Sequence, residues 1–377
     1  MQYRNLLLLA LTVCAPQAHS VVSVPPLPQL DARAYLLMDY QSGRVIVHKN
    51  ADQQMEPASL TKMMTIYAVA SEIREGRVSL NDEVIVSEKA WRMTGSRMFI
   101  EVGKKVSIED LMKGDIVQSG NDASVALAEH VSGSEEMFVV LMNQHAGELG
   151  LKDTHFVNST GLPHSSHLTS ARDIAALSAA LIREFPAVFK IFSTKEFTYN
   201  GIKQQNRNKL LFKDESVDGI KTGYTDSAGF CLAASASREG RRLISVVMGA
   251  SDGEARATSS LTLLNYGFRF FENHRLFAAG ESVHTAKIWK GETDSLKLGL
   301  ERDLYVTIPV GGYESVDAAV DVQSEILAPM SQGEKLGTLR VTLADKELSN
   351  RPLLSLNAVA EAGVFSRLVD EVKLWFQ

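Results

Sequence analysis

Three short motifs, which follow one another in order along this chain of 377 residues, constrain its fold more than any other feature. They are Ser59-Leu60-Thr61-Lys62, Ser119-Gly120-Asn121 and Lys221-Thr222-Gly223. At average residue usage, a Ser followed three places on by Lys occurs about once by chance in such a chain, so one motif means little alone. All three in this order are hard to obtain by accident. If they act together, the fold must bring three distant segments to one point.

The first motif pairs a hydroxyl with an amine. Ser59 and Lys62 have helical spacing, so their side chains meet on one face. A serine hydroxyl is a poor nucleophile until a base takes its proton. Lys62 can be that base only when it is neutral, which requires apolar surroundings or a second cation such as Lys221. Taken alone, the pair fits better as surface residues of an amphipathic helix, and the two later motifs reverse that interpretation.

The second motif directly precedes a helix expected to begin near Asp122. Ser119 and Asn121 are ordinary helix caps at such a place. In the catalytic interpretation, Ser119 relays a proton to the leaving nitrogen, and Asn121 holds the Lys62 side chain or a substrate amide.

The third motif is suited to binding a substrate. Gly223 lets a substrate backbone approach a strand edge closely. Thr222 offers a hydroxyl and Lys221 a charge, and both suit a terminal carboxylate; a polar strand start after a turn is the alternative. Arg207 and Arg256 are further candidate carboxylate anchors, and a solvated surface arginine is an equal alternative for each.

Other binding chemistries have little support. His164-Ser165-Ser166-His167 has spacing that could suit a metal, but no third ligand is evident and no His-Glu-x-x-His occurs, so we expect no metal. No phosphate loop or dinucleotide fingerprint occurs, and we expect no cofactor. The net charge of −6 without a basic block gives no electrostatic case for nucleic-acid binding.

Residues 1–20 are typical of a secretory signal peptide. A positive start precedes the apolar run Leu6 to Ala15, and Ala18-His19-Ser20 offers small residues for cleavage. The run is too short to span a bilayer stably. A lipoprotein signal ending at Cys14 is a less favoured alternative, because the preceding residue is not small. Removal of Cys14 leaves Cys231 alone, without an intramolecular disulfide.

Most of the chain, residues 28–275, alternates strand and helix patterns of an α/β (α+β) domain. Strand-like hairpins occur at both ends, over 34–48 and 229–249, with helical patterns between them. A further helix is expected over about 253–271. Strands flanking helices predict an antiparallel sheet faced by helices.

The remaining sequence has a different texture. Residues 281–360 contain short runs of period two separated by glycines and polar turns, which predicts a small all-β sandwich. Residues 361–377 return to helical spacing, with apolar side chains on one face and charged ones on the other. We expect this amphipathic helix to lie on the inner membrane, with docking on the β domain or self-association as the alternative.

The motifs in their contexts resemble the low-molecular-mass penicillin-binding proteins that are D-alanyl-D-alanine carboxypeptidases. Pro57 to Met64, Gln118 to Ala123 and Val217 to Gly223 resemble that family's three motifs, which it shares with the β-lactamases. The resemblance extends over essentially the whole chain after residue 20. It implies a β-lactamase/transpeptidase-like domain followed by a β-sandwich domain.

The resemblance implies a role for each catalytic position. Ser59 is the acylated nucleophile and Lys62 its proton acceptor. Ser119 and Asn121 complete the proton network. The oxyanion hole consists of the N–H groups of Ser59 and Tyr224. Tyr224 replaces the His that often follows the third motif, which should preserve the backbone contact and change the rate and pH dependence.

The resemblance also implies a substrate and a location. Lys221 and Thr222, together with Gly223, would bind the terminal carboxylate, and Arg207 and Arg256 fall where the family has active-site arginines. The implied substrate is a peptidoglycan stem peptide ending in D-Ala-D-Ala, which β-lactam antibiotics imitate. The implied location is the periplasmic face of the inner membrane.

Three alternatives to a carboxypeptidase remain open. A β-lactamase needs a Glu for the deacylating water, and no Glu-x-x-x-Asn lies between Ser119 and Lys221. A DD-endopeptidase and a non-catalytic penicillin-binding scaffold are the others.

Overall fold

The computed structural model describes residues 24–375, so the predicted signal peptide lies outside the described residues. The chain separates into two compact units. The larger unit is built on residues 26–281 and 300–307, and the smaller on residues 282–299 and 308–377.

The larger unit combines strands and helices. Its strands are β1 Ala34–Asp39, β2 Val45–Lys49, β3 Glu83–Ile85, β4 Lys105–Ser107, β5 Glu196–Tyr199, β6 Ile202–Gln205, β7 Val217–Thr225, β8 Gly229–Arg238, β9 Arg241–Ala250 and β10 Phe271–Phe277. Its helices are α1 Lys62–Arg74, α2 Glu88–Trp91, α3 Ile108–Lys113, α4 Asn121–Ser132, α5 Glu135–Glu148, α6 Ala171–Glu184, α7 Pro186–Phe189, α8 Leu210–Lys213 and α9 Gly253–Phe270.

The antiparallel sheet faced by helices is confirmed. Five strands pair in the order β2-β1-β9-β8-β7. Six consecutive residues of β8 and of β9 are buried, so the sheet is covered on both faces. Helices α6 and α9 pack against it. Gly267 brings α9 so close that an added Cβ would lie 2.6 Å from Leu243 Cδ1.

Helix α1 lies inside the larger unit. Every residue from Lys62 to Glu72 is buried. A helix that is buried all round is a core helix, so the interpretation of Ser59 and Lys62 as surface residues of an amphipathic helix is wrong. The 3₁₀ turn Ala58–Thr61 leads into α1 and carries Ser59.

The smaller unit contains a five-stranded antiparallel sheet. Its strands are β11 Ser282–Lys287, β12 Ser295–Gly299, β14 Val316–Val322, β15 Lys335–Leu343 and β16 Lys346–Ser355. Strand β13, Leu304–Pro309, lies mostly in the segment 300–307 of the larger unit and pairs with β10. The sheet order is β11-β12-β16-β15-β14. The predicted C-terminal helix is confirmed as α10 Val364–Leu374. Within residues 24–375, no helix has the length and hydropathy needed to cross a bilayer.

Candidate active site

The three motifs meet at one cavity of about 360 Å³ in the larger unit. Ser59 lines this cavity, and its side chain is half-buried. The first motif contributes Ser59 from the turn before α1, the second contributes residues that begin α4, and the third lies on edge strand β7. The residues that line the cavity are Ser59, Gly95, Ser96, Ser119, Asn121, Thr160, Gly161, Leu162, Arg207, Thr222, Gly223, Tyr224, Thr225, Phe230 and Arg256.

The Lys62 amine is fully buried and lies 3.3 Å from Ser59 Oγ. It donates hydrogen bonds to Asn121 Oδ1 at 2.7 Å and to the Thr160 carbonyl oxygen at 2.6 Å. A neutral amine has two N–H donors, and these two acceptors match them. In the charged amine the third N–H would be donated to Ser59 Oγ, whereas in the neutral amine the lone pair would face Ser59, as a general base requires.

Burial lowers the pKa of Lys62 to about 8. The charge of Arg207 contributes to this decrease, and the carboxylates of Asp115 and Asp122 oppose it. The expectation that Lys221 is a second cation beside Lys62 agrees with the charge interaction between the two amines, and Arg207 is a further cation that the sequence did not assign to this role. Burial, followed by the charge of Lys62, lowers the pKa of Lys221 well below its usual value.

Ser119 does not cap α4, so the capping interpretation of the second motif is wrong for this residue. Its φ is +65°, in the left-handed region, and Gly120 is the residue that precedes the helix. Ser119 Oγ instead accepts a hydrogen bond from Lys221 Nζ at 2.9 Å. Asn121 donates from Nδ2 to the Thr94 carbonyl at 2.7 Å, which fixes Oδ1 toward Lys62. Strained backbone of this kind clusters at functional sites.

Gly223 is needed for a reason that the sequence did not reveal. An added Cβ would lie 3.0 Å from the Pro57 carbonyl oxygen and 3.1 Å from Ser59 N. The glycine therefore allows β7 to approach the turn that carries Ser59, in addition to any approach by substrate. Thr222 lies beside it on the cavity wall, and its carbonyl accepts from Lys221 Nζ at 3.2 Å.

Both candidate arginines lie at the cavity. Arg256 Nη1 donates to the Gly223 carbonyl at 2.9 Å, so it also supports the third motif. Arg207 is exposed at the opening. Tyr224 stacks on Phe230 with ring centroids 4.2 Å apart and is half exposed.

Three residues that contribute to the site were not predicted from the sequence. Thr160 acts through its carbonyl oxygen, and Gly161 lies against the main chain of Ala58, so neither has a side-chain signature. Asp115 is buried close enough to affect the pKa of both active-site lysines. Its acidic side chain directly precedes the apolar pair Ile116 and Val117, but the sequence does not show that it lies near the two lysines.

His164 and His167 do not form a metal centre with other described residues. In residues 24–375, no three His, Cys, Asp or Glu side chains are grouped to hold an ion. His167 accepts from Val157 N at Nδ1, and its Nε2 lies 2.8 Å from Thr61 Oγ1. The ring thus buttresses the first motif. Cys231 is a free buried thiol, and burial raises its pKa to about 11.

Family models match both parts of the chain. The model described as D-alanyl-D-alanine carboxypeptidase matches residues 19–252. The chain belongs to the D-alanyl-D-alanine carboxypeptidase family. The model described as the C-terminal domain of penicillin-binding protein 5 matches residues 271–361. The resemblance inferred from the motifs is therefore confirmed.

Relatives in this family cover nearly the whole chain. It is 42% identical to D-alanyl-D-alanine carboxypeptidase DacA of Escherichia coli (strain K12), over 94% of this chain and 90% of that protein. Its structure is similar to that of penicillin-binding protein 5 from Haemophilus influenzae, with a TM-score of 0.86, 41% identity, and coverage of 90% and 100% of the two chains. It also resembles penicillin-binding protein D2 from Listeria monocytogenes in an ampicillin-bound form, with a TM-score of 0.60, 31% identity, and coverage of 65% and 100%.

Proposed function

We propose that this protein is a serine-type D-Ala-D-Ala carboxypeptidase that removes the terminal D-alanine from peptidoglycan stem pentapeptides. The observation that carries the proposal is the buried Lys62 amine, 3.3 Å from Ser59 Oγ, with both N–H donors of its neutral form matched by acceptors. Family membership supports the same reaction, because the relatives bear that name.

The proposed reaction has two steps. Ser59 Oγ attacks the carbonyl carbon between the two D-alanines while its proton passes to Lys62 Nζ. The N–H groups of Ser59 and Tyr224 bind the oxyanion. The C–N bond breaks, Ser119 passes a proton to the leaving nitrogen, and water then hydrolyses the ester on Ser59. A β-lactam acylates the same oxygen, and its ester is hydrolysed slowly.

The charge of the cavity supports a substrate with a free carboxyl end. Arg207 and Arg256 line the cavity, and Thr222 offers a hydroxyl beside Lys221. A terminal carboxylate near Lys221 favours the charged form of that amine. If the two lysines carry one proton between them, substrate binding would therefore place that proton on Lys221 and leave Lys62 neutral. Acylation needs this arrangement.

The β-lactamase alternative has less support. Among the described residues that line the cavity, none is Asp or Glu. Glu135, which acts on Lys62 electrostatically, accepts hydrogen bonds from Ser159 and pairs with Lys89 at 3.0 Å. No lining carboxylate is thus available to activate a deacylating water, and slow release of penicillin is expected.

The decisive experiment is product analysis with a synthetic pentapeptide that ends in two D-alanines. The proposal predicts stoichiometric D-alanine and tetrapeptide by mass spectrometry. A pentapeptide that remains intact would refute it, and cleavage only of a cross-linked dimer would favour the endopeptidase. Rapid turnover of penicillin would favour the β-lactamase.

We also propose the domain limits and location that the sequence suggested. Residues 1–20 would direct export, residues 28–275 and 281–360 would be the two domains, and residues 361–377 would hold the protein on the periplasmic face of the inner membrane. The apolar side of α10 is exposed, with Phe365 82% and Trp375 85% accessible.

The polar side of α10 supports a membrane role over docking of its apolar face. Asp370 accepts from Lys290 N at 2.9 Å, and Glu371 pairs with Lys290 Nζ at 2.5 Å. The helix is thus held to its own unit by charged residues, and its apolar face stays free. Removing residues 361–377, or Leu368→Glu alone, should release the protein from membranes in fractionation, whereas Arg367→Gln should not. If neither the deletion of residues 361–377 nor Leu368→Glu changes the fraction of the protein bound to membranes, the proposed membrane anchor is contradicted.

A further inference from the structure

A buried carboxylate lies beneath the second motif and has no role in the mechanism above. Asp115 belongs to the π-helical turn 114–118 that precedes Ser119, and its side chain has no exposed surface. Its Oδ1 accepts from Ser124 Oγ at 2.5 Å. Within the described residues, no donor lies within hydrogen-bonding distance of Oδ2. A buried carboxylate with one oxygen unpaired is destabilising and calls for a compensating charge.

The compensating charges are the two active-site lysines. Lys62 on α1 and Lys221 on β7 both lower the pKa of Asp115, while burial and Asp122 raise it, to about 6. Among the described residues of the neighbouring elements, α4 contributes one more buried charge, the acid Asp122, together with the partly exposed Glu129 and the exposed His130. The ionic residues of the other neighbouring elements are at least partly exposed. Two of these groups are ion pairs: Lys113 Nζ lies 2.7 Å from Glu109 Oε1 on α3, and Lys203 Nζ on β6 lies 2.8 Å from Glu196 Oε2 on β5. The others are the partly exposed Asp110 on α3 and the exposed Lys190 of the 3₁₀ turn 190–193.

The other acids near Lys62 already have partners. Asp122 accepts hydrogen bonds from four backbone N–H groups. Glu135 pairs with Lys89 and accepts from Ser159. Asp115 accepts only from the neutral hydroxyl of Ser124, and no N–H group or adjacent cation in the described part of the chain compensates its negative charge. That charge therefore acts on the two lysines.

We propose that Asp115 is a positioning residue of the proton network, the internal counter-charge that keeps one proton on the Lys62–Lys221 pair. Two ammonium groups buried without an anion would both tend to lose their protons. One carboxylate and one shared proton make the cluster neutral. When a substrate carboxylate lies beside Lys221, that amine takes the proton and Lys62 becomes the free base. The inference rests on the proposed function and deepens it.

The contact with Ser124 could also brace the motif mechanically. Ser124 Oγ lies 3.0 Å from the Gly120 carbonyl, so the pair connects the 114–118 turn to α4 across Ser119. Two substitutions separate brace from charge. Asp115→Asn removes the charge at every pH and keeps an acceptor for Ser124. Ser124→Ala removes the brace and keeps the carboxyl group, but it also raises the pKa of that carboxyl, because the Ser124 hydrogen bond lowers it.

The experiment is the pH profile of acylation by a fluorescent penicillin, with KM and kcat for D-alanine release at pH 7 as a second readout. For Asp115→Asn, loss of the anion lowers the proton affinity of both lysines, so both limbs of the profile should move to lower pH by roughly one unit. KM should rise more than kcat falls, because Lys221 carries less charge. Ser124→Ala should leave the alkaline limb in place, because Asp115 remains ionised at that pH, and can move only the acid limb, where the carboxyl takes up its proton.

The inference is overturned if the Asp115→Asn profile keeps the wild-type pH limbs, whatever its amplitude, because a brace alone changes only amplitude. If Asp115→Asn does not fold, the double variant Asp115→Val with Ser124→Ala replaces it, because it removes both hydrogen-bonding partners and leaves neither unpaired. Both limbs of its pH profile must move to lower pH by the amount predicted for Asp115→Asn, or the inference fails. If the wild type is acylated by penicillin but releases no D-alanine, the proposed function is refuted. The pH profiles of acylation of the wild type and Asp115→Asn would still test the role of Asp115.

Discussion

Gly161→Ala is the most direct test of the support beneath the nucleophile. Gly161 has φ +84°, and an added Cβ would lie 1.8 Å from the Ala58 carbonyl oxygen and 2.4 Å from its carbon. The left-handed backbone costs about 1 kcal/mol for a non-glycine residue. Forcing the Ala58 main chain away adds about 1–3 kcal/mol of overpacking. We therefore expect a loss of about 2–4 kcal/mol in the free energy of unfolding, measured with urea.

Activity should fall more than stability suggests. Ala58 precedes Ser59, and the Thr160 carbonyl beside Gly161 accepts from Lys62, so the displacement moves both reacting groups. A shift of about 1 Å in a reacting geometry lowers the rate roughly 100-fold. We expect a decrease of that order in kcat/KM for D-alanine release from the pentapeptide.

Gly150→Ala is the matched control. Gly150 has φ +69°, but an added Cβ there meets no atom within 4 Å. It should lose only the backbone cost of about 1 kcal/mol and keep the wild-type rate. Equal stabilities and rates for the two variants would refute the argument that the Gly161 segment supports the turn of the first motif.

Three further predictions follow from the same geometry. Because burial lowers the pKa of Lys62 to about 8, acylation by penicillin should slow about tenfold per unit below pH 8 in stopped-flow measurements; a pH-independent rate from 6 to 8 would contradict this. Burial lowers the pKa of His167 to about 4 from about 6.5 when unfolded, so stability should decrease by about 3 kcal/mol as the pH falls through that window, and His167→Gln should flatten the dependence in urea titrations. Arg256→Lys should raise KM for the pentapeptide roughly tenfold, since lysine cannot reproduce the fixed donors of the guanidinium; Arg172→Lys, at an exposed ion pair outside the cavity, should not.

The sequence predicted much of this fold because its patterns are local. Strand-like hairpin patterns indicated strands of the larger sheet, period-two runs indicated those of the smaller sheet, and helical spacing indicated α9 and α10. The burial of α1 was not visible, because Lys62 at its start reads as a surface residue until the fold places the helix inside the larger unit. Tertiary context decided that element, as it often does.

The site was predicted where function resides in side chains and missed where it resides in the backbone. Ser59, Lys62 and Lys221 carry their chemistry in recognisable motifs. Thr160 contributes only a carbonyl, which every residue type possesses. Asp115 lies outside the motifs, and only the folded chain places its charge near both lysines. The φ of Ser119 likewise depends on the π-helical turn before it.

The central claim is that Ser59 is the acylated residue and Lys62 its base, and intact-protein mass spectrometry with penicillin followed by peptide mapping tests it most directly. The account predicts one penicilloyl group on the wild type, located on Ser59, no adduct on Ser59→Ala, and acylation slowed by roughly 10⁴-fold or more on Lys62→Ala. An adduct on another residue, or normal acylation of either variant, would contradict it.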